Sequence, residues 1–387
     1  MAIGVKYLVI CAKYVVKWCR ENLSQTRQNK KRISITMRKK LYMAAVGIII
    51  GLVAILLGIF GNPANMAFCV ACFLRDTAGA LGLHRAEAVQ YARPEIVGIV
   101  LGAFIVSLIK KDFKPAGGSS PFTRFILGIC VMVGALVFLG CPLRMVLRMA
   151  GGDINALIGL FGFAGGILTG TAFLNKGFTL KRAYEQPRLE AAAFPAANVL
   201  LLVLLASAPG FLLFSESGPG SMHAPILMSL CGGLIAGVAA QRSRLCFGGG
   251  IRNAVFYKDF DVLVSIGAIF VTVLIGNFIT GGFRLGMVNQ PISHTEWIWN
   301  ILGLYLVGFG SVLLGGCPLR QLVLAGSGNS DSGITVLGFL AGAAICHNFG
   351  IASGAAGTTV NGRIAFGVCA AIVFAVAAAN TVKIGSK

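Results

Sequence analysis

The sequence Gly-Cys-Pro-Leu-Arg occurs twice in the chain, at Gly140–Arg144 and at Gly316–Arg320. A second cysteine segment is also duplicated, because Phe68–Asp76 matches Leu245–Asn253 with a cysteine and an arginine in equivalent places. The two cysteines are 72 residues apart in the first half and 71 apart in the second. The four equivalent cysteines are Cys69, Cys141, Cys246 and Cys317. This constant spacing predicts a duplicated unit that contributes two cysteines from each copy.

The composition predicts an integral membrane protein. The chain has 387 residues, of which 56% are hydrophobic and 12% charged, whereas soluble domains carry roughly 25% charged residues. Apolar segments of helical length recur along it, which favours an all-α polytopic protein over a β-barrel. The ten predicted spans lie at about 41–60, 94–109, 122–140, 154–174, 196–214, 224–240, 262–283, 297–316, 333–352 and 363–383.

The distribution of charge predicts the orientation. The chain has a formal net charge of +20, and residues 1–40 hold eleven lysines and arginines against a single acid, Glu21. A basic N-terminal arm before the first span is typical of a cytoplasmic N-terminus. With alternating spans, every lysine then falls on the cytoplasmic side. The charge is therefore explained by topology and by contact with anionic lipid, and we expect no nucleic-acid binding.

The order of spans and cysteine segments predicts an inverted repeat. Corresponding spans of the two units are five crossings apart. Because five is an odd number, the two units should have opposite orientations in the membrane. Inverted repeats of this kind build transporters with a site near the membrane midplane. The predicted organisation is a basic arm at 1–40, unit one at 41–174, a linker with one span at 175–223, unit two at 224–352, and a C-terminal span and tail at 353–387.

The cysteine segments are too short to cross the membrane and fit re-entrant half-helices. Pro142 and Pro318 favour the first turn of a helix, which places the preceding cysteine at the helix start. A helix N-terminus attracts anions, and an arginine follows each proline by two residues. We therefore expect an anion-contacting path lined by the four equivalent cysteines. The residues expected to attract anions towards it are Arg75, Arg144, Arg252 and Arg320.

Other titratable residues carry weaker signals. Cys346 and His347 lie late in a predicted span, where ionisable groups are functional candidates. For His347, an ordinary buried histidine with hydrogen bonds is the favoured interpretation. Cys72 forms a C-x-x-C with Cys69 that could bind metal or cycle between redox states, but Gly249 stands at its equivalent position. No nucleotide-binding P-loop is present in the sequence, so no built-in ATPase is expected. We also expect no cofactor, metal or catalytic residue.

These motifs resemble those of the YeeE/YedE family of bacterial sulfur-transport membrane proteins. The resemblance is carried by Cys69 with Arg75, by Cys246 with Arg252, and by the two Gly-Cys-Pro segments. Within the family, Gly140–Gly152 and Gly310–Asn329 look most like the selenium-metabolism branch. The resemblance implies a bacterial inner-membrane fold, central thiols that contact thiosulfate, and a small cytoplasmic carrier protein that bears its own cysteine. For the selenium branch it implies a selenium compound as cargo.

The leading hypothesis is a transporter or channel that imports a small sulfur- or selenium-containing anion. Three alternatives remain at this stage. A membrane thiol oxidoreductase would use Cys69 and Cys72 as an exchange pair. A transporter for a soft metal ion would use the thiols as ligands, although the arginines disfavour a cation path. A scaffold for a selenium or sulfur enzyme would need none of the four cysteines.

Overall fold

The computed structural model describes residues 36–381. Residues 1–35, which make up nearly all of the predicted basic arm, lie outside the described residues. Residues 36–40 already belong to the first helix. The regular secondary structure of the described residues is helical, apart from two paired strands of two residues each, β1 (Ala116–Gly117) and β2 (Tyr184–Glu185). One of the helical pieces is a short 3₁₀ turn at Glu87–Val89.

Ten long helices form the body of the described residues, and four short helices are set among them. The long helices are α1 (Thr36–Ile59), α3 (Pro94–Ile109), α4 (Pro121–Phe138), α6 (Ile154–Asn175), α7 (Arg188–Ser207), α8 (Ile226–Ser243), α10 (Asp261–Ile279), α11 (Trp297–Leu313), α13 (Ser330–Asn348) and α14 (Val360–Ala379). The short helices are α2 (Val70–Ala80), α5 (Pro142–Ala150), α9 (Phe247–Tyr257) and α12 (Pro318–Gly326). The protein is therefore a polytopic all-α membrane protein.

Each of the ten predicted spans overlaps a long helix, although the fifth, 196–214, ends seven residues beyond α7. Nine of the long helices in residues 36–381 are long and apolar enough to cross a membrane. The remaining long helix is α13, which corresponds to the ninth predicted span and is less apolar. Polar residues occupy both ends of α13, with Asp331 near its start and His347 and Asn348 at its end. The helix is instead enclosed by protein, because it packs along α4 and against α2 and α12.

The packing of the helices repeats when the two units are exchanged. The sequence duplication equates α1–α6 with α8–α13 in order. The contact of α6 with α11 then corresponds to that of α13 with α4, and the contact of α5 with α10 corresponds to that of α12 with α3. The contacts α5–α6 and α2–α13 likewise recur as α12–α13 and α9–α6. The duplication seen in the sequence is thus also a duplication of tertiary contacts.

The two units are inverted, as the sequence predicts. The equivalent helices α4 and α11 pack side by side, with Gly310 against Val131 at one end and Gly303 against Phe138 further along. Residue numbers rise along α4 while they fall along α11, so these helices are antiparallel. The half-helices that follow them, α5 and α12, consequently enter from opposite faces of the molecule. We name these the α5 face and the α12 face.

Glycine permits the closest helix contacts. In α6, a Cβ atom at Gly162 would collide with the carbonyl oxygen of Ile301, and one at Gly166 with that of Tyr305. Interfaces between membrane helices favour such small residues because the backbones then approach closely. These contacts hold α6 parallel to α11 and fix the frame into which the half-helices insert.

Candidate functional site

All four half-helices begin directly after one of the equivalent cysteines. Cys69 is the N-cap residue of α2, and Cys141 is that of α5. Their sulfur atoms lie 3.6 Å apart, and both residues are buried. In unit two, Cys246 and Cys317 occupy the same positions at α9 and α12. The fold therefore brings two cysteines that are 72 residues apart in the sequence into direct contact, as two helix N-termini converge.

The local sequence explains how each Cys-Pro helix starts. Leu139 and Gly315 end the preceding long helices with positive φ angles of 64° and 83°, which reverses the chain. Pro142 and Pro318 then occupy the first helical turn. The intervening glycines let the arginine stems fold back, because a Cβ atom on Gly140 would lie 2.9 Å from Arg144 Cδ, and one on Gly316 would lie 2.8 Å from Arg320 Cγ.

Cys246 and Cys317 also form a pair. The Cys246 sulfur accepts a hydrogen bond from the backbone N–H of Cys317 at 3.4 Å, and a second from that of Gly249 at 3.3 Å. Cys317 is buried, whereas Cys246 is only partly buried. The two units therefore share the cysteine arrangement but differ in its exposure.

A cavity of about 290 Å³ opens beside Cys246 and Cys317 on the α12 face. Three arginines line it: Arg244, Arg252 and Arg320. Arg252 bonds the side-chain oxygen of Asn253, and Arg320 bonds that of Gln241, so both charges rest on neutral amides. Within residues 36–381 no carboxylate forms an ion pair with any of the three. The cavity therefore combines thiols with uncompensated positive charge.

The two arginines of unit one are engaged differently. Arg75 is buried and donates two hydrogen bonds to Asp76 Oδ1, at 2.9 and 2.6 Å. Arg93 holds the other oxygen, Oδ2, at 2.8 Å. The charge of Arg75 is thus neutralised next to its own position in the chain. Asn253 replaces Asp76 in unit two, and this one substitution leaves Arg252 without a counter-ion.

Arg144 is enclosed by backbone carbonyl groups. It donates to the carbonyl oxygen of Leu139, and to those of Pro291 and Ile292 at 3.2 and 3.1 Å. The last two belong to the loop at 284–296, which covers α5. One turn further along α5, Arg148 pairs with Asp153 at 2.7 Å and also donates to Ser293 of that loop at 2.5 Å. Cys141 is therefore sealed from the α5 face.

The secondary candidates lie on α2 and α13, which pack against each other. Cys346 is buried in the core. The His347 ring stacks on His84 with a centroid separation of 4.6 Å, and His84 hydrogen-bonds the carbonyl oxygen of Arg75. Cys72 is a free thiol, and its sulfur lies 3.8 Å from Arg144 Nη1. These three residues therefore do not line the cavity beside Cys246 and Cys317.

Sequence reasoning missed several residues of this region. Arg93, Arg148 and Asp153 take part in buried ion pairs. The sequence offered a signal only for the pair of Arg148 with Asp153, because an arginine and an acid lie five residues apart there. Ser311 lines the cavity while its hydroxyl group finds no hydrogen-bond partner among residues 36–381. A single serine inside an apolar span carries no signal in the sequence.

Comparison with known proteins decides the family. The model of the family described as "Sulphur transport" matches residues 1–141 and 242–383, which is most of the chain and includes all four equivalent cysteines. The chain belongs to the sulphur transport family. This confirms the resemblance to YeeE/YedE proteins drawn from the cysteine motifs. The match does not distinguish the selenium branch from the rest of the family.

Two curated relatives are similar to this chain over shorter segments. One is "Thiosulfate transporter TsuA" of Escherichia coli (strain K12), which is 27% identical over 127 residues, or 33% of this chain and 36% of the relative. The other is "Thiosulfate transporter TsuA" of Spirochaeta thermophila, which is 27% identical over 111 residues, or 29% of this chain and 33% of the relative. The chain thus aligns with about a third of the length of each.

Proposed function

We propose that the chain transports a small sulfur-containing anion across a membrane, along a path formed by Cys69, Cys141, Cys246 and Cys317. The observation that carries this proposal is the cavity on the α12 face, where two thiols and three arginines adjoin the starts of α9 and α12. These arginines have no carboxylate partner within the described range 36–381. Helix N-termini and arginines favour an anion. Soft thiols suit a polarisable sulfur atom better than the hard oxygen atoms of sulfate.

Thiosulfate is the cargo we favour. It is a dianion whose charge is shared by three oxygen atoms and a soft terminal sulfur atom, which matches arginines beside thiols. The names of the two relatives support this choice. A selenium oxyanion or selenosulfate has similar size and softness, so a selenium compound is kept as the second cargo to be tested.

Within this proposal the anion-attracting role belongs to Arg252 and Arg320, now joined by Arg244. Arg75 and Arg144 contribute by holding α2 and α5 in place, since Asp76 and the loop carbonyls already satisfy their donors. The unit-one thiols, Cys69 and Cys141, form the sealed part of the path. Transport then requires the loop at 284–296 to release Arg144, so that the α5 face opens while the α12 face closes.

We further propose that the α12 face is cytoplasmic and that the chain resides in a bacterial inner membrane. This orientation follows from the basic residues at the start of the chain. The cargo would then leave through the arginine-lined cavity. A small cytoplasmic carrier protein bearing its own cysteine would receive sulfur at that mouth.

Uptake measurements test this function. We expect cells that lack their own importers to accumulate radiolabelled thiosulfate when they express the chain, and the Cys141→Ala and Cys317→Ala variants to lose at least about tenfold of that uptake. Cys231→Ala is the matched control, because Cys231 is an exposed thiol outside the path. Labelled selenite, run in parallel, distinguishes the two cargo classes. Normal uptake by both path variants, with protein shown to be inserted, would contradict the proposal.

A further inference from the structure

The sulfur atom of Cys246 lies against backbone donors at the start of its own helix. Two backbone N–H groups, those of Gly249 and Cys317, donate to it at 3.3 and 3.4 Å. Hydrogen bonds from N–H groups at a helix N-terminus stabilise the negative charge of a thiolate, which is the nucleophilic form of cysteine. The Cys69 side chain makes no such contact with the start of its own helix.

The sulfur of Cys246 is also accessible. Gly249 stands where unit one has Cys72, and a Cβ atom at that position would lie only 3.4 Å from the Cys246 sulfur. Any side chain at this position would therefore crowd the approach to the thiol, and glycine leaves it open. Cys246 lines the cavity and is partly buried, whereas Cys69 and Cys141 are enclosed.

The rest of the cavity suits a dianion. Arg252 and Arg320 are held only by neutral amide oxygens, which an anion can displace because charge-assisted hydrogen bonds are stronger. The Ser311 side chain is nine-tenths or more buried, lines the same cavity, and has no partner for its hydroxyl group within residues 36–381. A buried hydroxyl without a partner is costly, and an anion oxygen in the cavity would satisfy it.

From these observations we propose that Cys246 is a nucleophile that takes the sulfane sulfur from thiosulfate. This inference rests on thiosulfate being the cargo. The Cys246 thiolate attacks the outer sulfur atom, so that a new bond forms between it and the cysteine sulfur. The sulfur–sulfur bond of thiosulfate breaks, and its electron pair leaves with sulfite.

The products are a cysteine persulfide anion and a sulfite dianion. The total charge of minus three is unchanged, and no oxidant or reductant is needed. Preorganised positive groups that face a leaving anion are an effective source of rate enhancement. We assign that part to Arg252 and Arg320, with Ser311 as a hydrogen-bond donor. The chain would thus perform one covalent step in addition to transport, although the sequence predicted no catalytic residue.

Sulfite release by the purified full-length protein tests the step. We expect the wild type, mixed with thiosulfate, to release about one sulfite per chain and to gain the mass of one sulfur atom on the peptide that contains Cys246. A small thiol that removes the persulfide should then make the release continue. Cys246→Ala and Cys246→Ser should lose the sulfite burst and the mass gain, whereas the matched control Cys231→Ala, at an exposed thiol outside the path, should keep both.

The failure of this step is distinguishable from the failure of transport. Absence of the mass gain in the wild type, or an undiminished sulfite burst in both Cys246 variants, would overturn the covalent step. If uptake still depended on Cys141 and Cys317 in that case, transport would stand without it. If Cys246 gained the mass of a sulfur atom in protein that transports no thiosulfate, the covalent step would be supported and the transport proposal would be contradicted.

Discussion

Replacing Asp76 with asparagine is expected to prevent the chain from accumulating as folded protein. Asp76 is completely buried and accepts hydrogen bonds from both Arg75 and Arg93. Its two oxygens therefore neutralise two buried guanidinium groups. Asparagine has nearly the same shape but no charge, so it leaves both cations uncompensated. Removing one partner of a buried ion pair costs about 3–5 kcal/mol, which is comparable with the total stability of many domains.

The same network connects distant parts of the chain. The Arg93 guanidinium also donates to the carbonyl oxygens of Met222 and Pro219, at 2.9 and 2.7 Å. The loop between α7 and α8 is thereby tied to the start of α3 and to α2. Loss of Asp76 would free Arg93 to move towards water, and the α7–α8 loop would lose its anchor.

Thermal unfolding and size-exclusion profiles in detergent would measure this effect. We expect Asp76→Asn to give aggregated protein or a melting temperature lowered by many degrees. Glu190→Gln is the matched control, since it also removes one carboxylate, but from an exposed position in the first turn of α7. The explanation fails if Asp76→Asn melts within a degree or two of the wild type.

The second large effect is expected in thiol labelling. A charged, membrane-impermeant thiol reagent applied to folded protein should modify Cys246 at least about 100-fold faster than Cys141. Cys246 lines the open cavity on the α12 face, while Cys141 lies beneath α5 and the loop at 284–296. A buried thiol reacts only through an opening of the structure, and the free energy of that opening sets its rate.

Mass spectrometry of peptides after short labelling pulses would give each rate separately. Arg144→Gln should raise the rate at Cys141, because the loop then loses two hydrogen bonds from the guanidinium group. The rate at Cys246 should stay the same in that variant, which makes it an internal control. Equal rates at Cys141 and Cys246 in the wild type would show that the α5 face is not sealed.

The duplication was enough to predict the architecture. Because the Cys-Pro and Cys-x₅-Arg segments recur at one spacing, the sequence indicated two units, and counting crossings indicated that they are inverted. The antiparallel packing of α4 against α11 follows from this inversion of the two units. The spans were also predictable, because a helix that crosses a membrane needs a long apolar segment, and such segments are visible in the sequence. The least apolar long helix is α13, which carries Asp331 near its buried start and His347 and Asn348 at its end.

The electrostatics of the site could not be predicted in the same way. The four equivalent arginines look alike in the sequence, yet their partners differ. Arg75 has a carboxylate beside it, whereas Arg252 has an amide at the same place. Arg144 binds the carbonyl oxygens of Pro291 and Ile292, which lie 147 and 148 residues further along the chain. Every residue has a backbone carbonyl group, so the sequence does not indicate which carbonyl groups bind Arg144. The structure was therefore needed to show that the α5 face is sealed.

The most direct test of a cysteine-lined transport path uses purified protein in liposomes. Liposomes preloaded with unlabelled thiosulfate would be mixed with radiolabelled thiosulfate, and accumulation of label would be followed with time. We expect wild-type protein to exchange label, and Cys317→Ala to exchange it at least tenfold more slowly while Cys231→Ala matches the wild type. Exchange by Cys317→Ala at the wild-type rate, or no exchange by correctly inserted wild-type protein, would contradict the account.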